Sequence, residues 1–151
     1  KEEHLYAKKY QDTLTRKDIE SAYSHAGIDL VEGQVLAETV VAGDVKPVDM
    51  GGSTDVADVS WVVPTVSLWG ANYAIGTPFH SWQMTAQGKS SIAIKGMTHA
   101  AMVMAATGYD LISNKTILDD AWSEHNKTIE KTGYMLPISL SASPPIKDMA
   151  P

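Results

Sequence analysis

A chain of 151 residues is long enough for one domain with a core and too short for two comfortable ones. Its 44% hydrophobic and 20% charged residues exclude a disordered or fibrous class, and a net charge of −6 without any cluster of Lys and Arg argues against nucleic-acid or anionic-membrane partners. No cysteine is present, so a disulfide framework and a thiolate metal site are also excluded. Residues 2–14 place Leu5, Ala7, Tyr10 and Leu14 at helical spacing, with acids first and lysines later, the order a helix dipole favours. Thr15 as N-cap and Gly27 as terminator bound a second predicted helix. The β-branched run Leu36–Val41 predicts a short strand ending at the Gly43-Asp44 turn.

In VSWVVPTVSLWG, residues 59–70, Val and Trp predict buried strand, interrupted because Pro64 cannot donate to a central ladder. From Lys89 onward, Ile92, Met97, Ala100, Ala101, Met104 and Ala105 leave little polar face and predict a buried helix capped by Ser90 or Ser91. Residues 114–131 read as an amphipathic helix, with Ile117, Ala121, Trp122, His125 and Ile129 on one broad face and Gly133 at its end. The proline-rich tail from Tyr134 is expected to lie extended along the surface. Alternation of helices and strands predicts an α/β or α+β class, of which α/β with a mixed sheet flanked by helices is the reading adopted, with too few strands to be a whole sheet. The N-terminus KEEHLYAKKY lacks the apolar core of a signal peptide, and no apolar run is long enough to span a bilayer, so cytoplasm is the default location. The first residue is not Met, which suggests a processed chain or a piece of a longer one.

Two polar knots could carry chemistry. Gly51, Gly52, Ser53 and Thr54 form a loop with free amides and two hydroxyls, suited to an anion such as a carboxylate; the plainer reading is a tight turn. Asp55 and Asp58 would cap a helix running into Val59, or one of them could orient a histidine. The second knot is IGTPFHSWQ, residues 75–83, where a turn stiffened by Pro78 leads into His80. That placement suits a metal ligand or a general base, although a lone loop histidine is more often simply solvated. His99 falls in the apolar helix and reads as a core histidine, while His4, His25 and His125 have nothing convergent near them in sequence. No HExxH or paired His motif supports a self-contained zinc site. A Ser53-His80-Asp55 triad is disfavoured, since there is no G-x-S-x-G elbow and Asp55 lies too close to Ser53 in sequence to sit behind the histidine.

GGSTDVADVSWVVPT, GTPFHSWQ and SSIAIKGMTHAAMVMA, in that order and spacing, resemble the C-terminal segment of the zinc-dependent metallopeptidase and amidohydrolase family that includes carboxypeptidase G, aminoacylases and aminobenzoyl-glutamate hydrolases. The similarity covers essentially the whole chain and is strongest toward the aminobenzoyl-glutamate utilisation type B branch. It implies that residues 1–151 are the C-terminal segment of a catalytic domain, with the upstream half and the inserted lid or dimerisation domain absent. His80 would be the late metal ligand, and the other ligands and the general base would lie upstream, so that no catalytic residue falls in this segment. Gly51, Gly52, Ser53 and Thr54 would hold a substrate carboxylate, with Asp55 in a supporting position. The activity implied is metal-assisted hydrolysis of an N-acyl amino acid, p-aminobenzoyl-glutamate or similar, with one or two zinc or manganese ions, in a homo- or hetero-oligomer built through the lid domain. This segment by itself would be inactive. Phe79 stands where relatives usually carry Gly, which would crowd the metal or narrow the pocket. The competing reading is a non-catalytic binding chain or pseudo-enzyme whose metal site has been lost.

Overall fold

A computed structural model describes residues 1–41, 54–136 and 138–149. Among the described residues every regular element is an α-helix and no strand is formed, which overturns the expected α/β class with its mixed sheet flanked by helices. The described residues group into two compact units, residues 1–41 with 66–113 and residues 54–65 with 114–149.

Both segments expected as strands fail for identifiable reasons. The run after Val35 is irregular, the Val35 carbonyl accepting a single bond from Ile75 N at 2.9 Å, and Val40 is 95% exposed. A strand needs a row of such bonds to a neighbour, and no such row forms among the described residues. The other segment begins inside a helix, Val56–Val62 (α3), and is irregular from Val63 to Gly70. Thr54 starts the helix: its carbonyl accepts from Ala57 N at 3.0 Å and its hydroxyl from Val56 N at 3.4 Å, so one turn is nucleated. Valine costs only a few tenths of a kcal/mol, roughly, in a helix, and its strand preference depends on a sheet to pack in. Pro64 acts on the residue before it, holding Val63 extended at φ −142° and ψ 150°, and the helix stops there. Asp55 occupies the cap position without making a capping bond.

In the first unit, α1 (Glu2–Gln11) carries Glu2 and Glu3 in its first turn and Lys8 and Lys9 in its last, as its charge order predicts. α2 (Arg16–Ala26) has a reciprocal cap: Asp18 N donates to the Thr15 hydroxyl at 3.2 Å and Thr15 N donates to the Asp18 carboxylate at 2.8 Å. The Thr15 hydroxyl also donates to the Asp18 carboxylate at 2.7 Å, and with the Thr15 backbone N–H it holds the Asp18 carboxyl below its ordinary value. Gly27 closes the helix in the left-handed conformation. The core of this unit is small: Ala7, Val35, Ala74 and Ile92 are buried, with Tyr6, Tyr10 and Leu36 packed against them. Tyr23 is buried as well and keeps its hydroxyl satisfied by donating to Gln34 Oε1 at 2.8 Å.

The turn Ala74–Thr77 leads the chain toward His80. Thr77 N donates to Ala74 O at 3.1 Å, and Gly76 at the third position has φ +90°, the arrangement of a type II turn. A Cβ at Gly76 would meet Ile19 Cα of α2 at 3.0 Å. Gly76→Ala therefore combines an unfavourable backbone with a clash against main chain, and is expected to destabilise the protein by about 1–3 kcal/mol. Urea unfolding checks it; an unchanged midpoint would mean that the turn does not pack on α2.

α4 (Trp82–Gln87) and α5 (Ser91–Ser113) complete the first unit. Ser90 caps α5 by accepting from Ala93 N at 3.1 Å, as the sequence predicts. The expected burial of α5 does not hold. Ile92 is its only buried residue, whereas Met97, Met104 and Ile112 are 63%, 67% and 88% exposed. Apolar composition shows what a helix can bury; on α5, beyond Ile92, a narrow stripe through Gly96, Ala100, Val103, Thr107 and Leu111 is half-buried, and most of the remaining surface is exposed. No described helix is long and apolar enough to cross a membrane.

In the second unit, α6 (Lys115–Thr132) starts where Asn114 Oδ1 accepts from Thr116 N at 3.0 Å and ends at Gly133, the predicted terminator. Trp61 of α3 stacks on Tyr134 with ring centroids 5.8 Å apart, and the Tyr134 hydroxyl donates to Asp58 Oδ1 at 3.0 Å. The tail is mostly irregular and exposed, apart from the short α7 (Ile146–Met149).

Candidate functional site

His80 is the one non-glycine among the described residues with a positive φ, at 57°. The left-handed region is disfavoured for side chains with a Cβ by roughly 1–2 kcal/mol, so something must hold it there. Ser81 supplies part of the hold. Its hydroxyl donates to Pro78 O at 2.7 Å, bridging Phe79 and His80, and accepts from Met84 N at 3.2 Å as the N-cap of α4. The histidine side chain is left exposed at the head of a helix whose start is pinned.

Below His80 the turn is fixed from three directions. From α4, buried Gln87 reaches back to accept from Ala74 N at 2.9 Å and to donate to Thr77 Oγ1 at 3.1 Å. From α1, Gln11 Nε2 donates to Gln34 O at 2.9 Å and Ile75 O at 3.3 Å. From the segment after α2, Val35 O takes Ile75 N at 2.9 Å. Neither glutamine stands out in the sequence; the only sign of Gln87 is that it follows Gln83 by four positions, on the same inward side of α4.

Phe79 does not stand alone beside His80. Its ring lies 6.0 Å from Trp69 and 6.4 Å from Tyr73, the latter edge-on, and burial pushes the Tyr73 phenol up. Trp69 and Phe79 nonetheless remain 67% and 49% exposed.

The other sequence-derived candidates are placed less tightly. Gly51, Gly52 and Ser53 lie outside the described residues. Thr54 and Asp55 are exposed at the start of α3, in the second unit. His99, expected in the core, is exposed on α5, off the half-buried stripe that runs through Gly96, Ala100 and Val103. His4 bonds Glu38 at 2.8 Å, a pairing across 34 residues that no local pattern announces, and His125 lies edge-on to Trp122 with neither ring nitrogen hydrogen-bonded. A groove lined by Lys1, Glu3, Tyr6, Ser90, Ser91 and Lys95 includes none of the candidate site residues.

Among the described residues no three His, Asp or Glu side chains come together as a metal site would require. Zinc takes three or four protein ligands and His80 offers one, so these residues alone do not fit a complete zinc or manganese centre.

Over 97% of its length the chain is 38% identical to a subunit of the p-aminobenzoyl-glutamate hydrolase of Escherichia coli (strain K12). The chain is thus similar to a hydrolase subunit. Its match spans only 33% of the length of the E. coli protein. No family model matches the sequence, and no solved structure matches it. The resemblance carried by GGSTDVADVSWVVPT, GTPFHSWQ and SSIAIKGMTHAAMVMA thus reaches a hydrolase subunit, while the sheet that it implied is absent from the described residues.

Proposed function

We propose that residues 1–151 are the C-terminal segment of the catalytic domain of a metal-dependent amidohydrolase that cleaves an N-acyl amino acid, and that His80 is the metal-binding side chain they contribute. The observation that carries this reading is the 38% identity across 97% of the chain to a hydrolase subunit whose name states its substrate, p-aminobenzoyl-glutamate. The geometry of His80 supports it: an imidazole left exposed, at an unfavoured backbone angle, on a turn tied down on every side, is arranged for use rather than for packing. Zinc or manganese, in one or two ions, would polarise the scissile carbonyl and activate water when bound. The remaining ligands and the general base would come from polypeptide outside residues 1–151.

Gly51, Gly52, Ser53 and Thr54 would hold the carboxylate of the glutamate leaving group through their amides and hydroxyls, with Asp55 in a supporting position. The exposed rings of Trp69 and Phe79, the latter adjacent in sequence to His80, offer π faces to an aromatic acyl group. Phe79 would then narrow the pocket in favour of a flat ring. The subunit partner and oligomeric assembly of the complete protein belong to the same proposal.

The test is hydrolysis of p-aminobenzoyl-glutamate with zinc or manganese, comparing residues 1–151 alone with the complete product of the reading frame. Release of p-aminobenzoate by the complete protein and none above the metal blank by residues 1–151 is the expected result. No release by the complete protein with either metal would overturn the hydrolase reading and leave a binding chain or pseudo-enzyme. Turnover by residues 1–151 alone would overturn the placement of the missing groups.

A further inference from the structure

We propose that Gln87 is a positioning residue for His80, acting with Thr77 as a clamp that keeps the histidine in its left-handed conformation. This rests on the reading of His80 as a metal ligand. Gln87 is 1% exposed, lies seven residues after the histidine, and has no solvent to satisfy its amide. Every group it carries is spent on the His80 segment. Oε1 accepts from Ala74 N at 2.9 Å, and Nε2 donates to Thr77 Oγ1 at 3.1 Å and to Gln83 O at 3.1 Å. Thr77, 7% exposed, passes the connection on by donating its hydroxyl to Ala74 O at 2.7 Å.

The consequence is a closed loop of covalent and hydrogen bonds. The chain leaves Ala74, makes the type II turn, passes Pro78 and His80, enters α4 at the Ser81 cap, and returns through the Gln87 side chain to its starting point. Fixing both ends of a short segment that contains a proline and a cap leaves few conformations for His80. A buried amide with both hydrogens and one oxygen engaged defines its geometry far more sharply than apolar packing would, because any shift leaves a polar group unpaired out of reach of water. The clamp therefore aims the imidazole rather than merely adding stability.

Nuclear magnetic resonance of the full chain tests this through the His80 amide-to-α-proton coupling and the strong intraresidue contact that a left-handed residue gives. Gln87→Met keeps the volume and removes all three bonds; Thr77→Val keeps the shape and removes the hydroxyl; Thr77→Ser restores it. Expected is loss of the left-handed His80 signature in Gln87→Met and Thr77→Val, with Thr77→Ser like the unaltered chain. Tyr23→Phe, which removes a buried hydroxyl elsewhere in the same unit, should leave His80 unmoved, separating aim from general loosening. In the complete protein, bound zinc per folded molecule should fall about 10-fold or more for Gln87→Met, as when an outer partner of a metal ligand is lost. An unchanged His80 signature in folded Gln87→Met or Thr77→Val overturns the clamp. A displaced His80 with zinc fully retained upholds the clamp and instead defeats the ligand reading. Should Gln87→Met fail to fold, the contrast between Thr77→Val and Thr77→Ser decides.

Discussion

His80→Ala in the complete protein is expected to lower bound metal and hydrolytic turnover together, by at least about 10–100-fold, while leaving the fold intact. Loss of a mere outer partner of a ligand costs about that much, and here a bond to the metal itself would go. The fold should tolerate the change because the His80 side chain is exposed, and none of the bonds fixing the turn uses its imidazole. Alanine also keeps the Cβ that makes φ 57° unfavourable, so backbone strain is unchanged. His99→Ala provides the contrast. Its side chain is exposed on α5, so stability, metal and turnover should all stay close to those of the unaltered protein, within about 0.5 kcal/mol for stability. Metal analysis of the folded fraction, with p-aminobenzoate release measured on the same samples, checks both. Full metal and full activity in His80→Ala would return residues 75–81 to the status of an ordinary turn.

Helix ends are the most legible features of this sequence because they are decided within one turn of chain. Thr15 with Asp18, Gly27, Ser90, Asn114 and Gly133 all act where their side chains or missing side chains suggest. Strand and burial are not legible in the same way. A run such as LAETVV says that a segment would suit a sheet, but the sheet itself is made by residues far away, and among the described residues the run gets no ladder, the backbone of Val35 taking a single main-chain bond from Ile75. In VSWVVP the local signals conflict. The β-branched side chains favour extension, yet the turn begun at Thr54 prevails up to the residue before Pro64. For α5 the apolar composition misleads, because burial depends on what packs against the helix.

The candidate site divides along the same line. The turn leading to His80 is visible in Gly76, Pro78 and the histidine itself, because turn chemistry is local. What holds it is hidden. Gln11 reaches across 64 residues to Ile75, Gln87 across 13 to Ala74, and a glutamine carries no mark in sequence that separates a buried clamp from a solvated side chain. The partners of Phe79 are hidden too, its ring meeting Trp69 and Tyr73 from ten and six residues upstream.

Two glycines on α5 should respond to the same substitution with opposite sign. Alanine is better than glycine inside a helix by about 1 kcal/mol, so Gly108→Ala, where an added Cβ meets nothing within 4 Å, is expected to stabilise the protein by roughly that amount. At Gly96 the same Cβ would stand 2.1 Å from Asn72 Oδ1 and 2.9 Å from Ala71 O. The Asn72 side chain could rotate away, since its Oδ1 is buried without a hydrogen-bond partner. The Ala71 carbonyl cannot, because it is main chain close to buried Ala74, and α5 would have to back off along the stretch that buries Ile92. Overpacking of this kind costs about 1–3 kcal/mol, enough to outweigh the gain in helix propensity. Urea unfolding of both variants should therefore move the midpoint up for Gly108→Ala and down for Gly96→Ala, a separation of about 1–3 kcal/mol at equal slope, since the propensity gain is common to both. If both variants stabilised equally, α5 would not rest on residues 71–72. Its one buried residue would then have lost its packing surface, and with it the contact that ties α5 to the segment leading into His80.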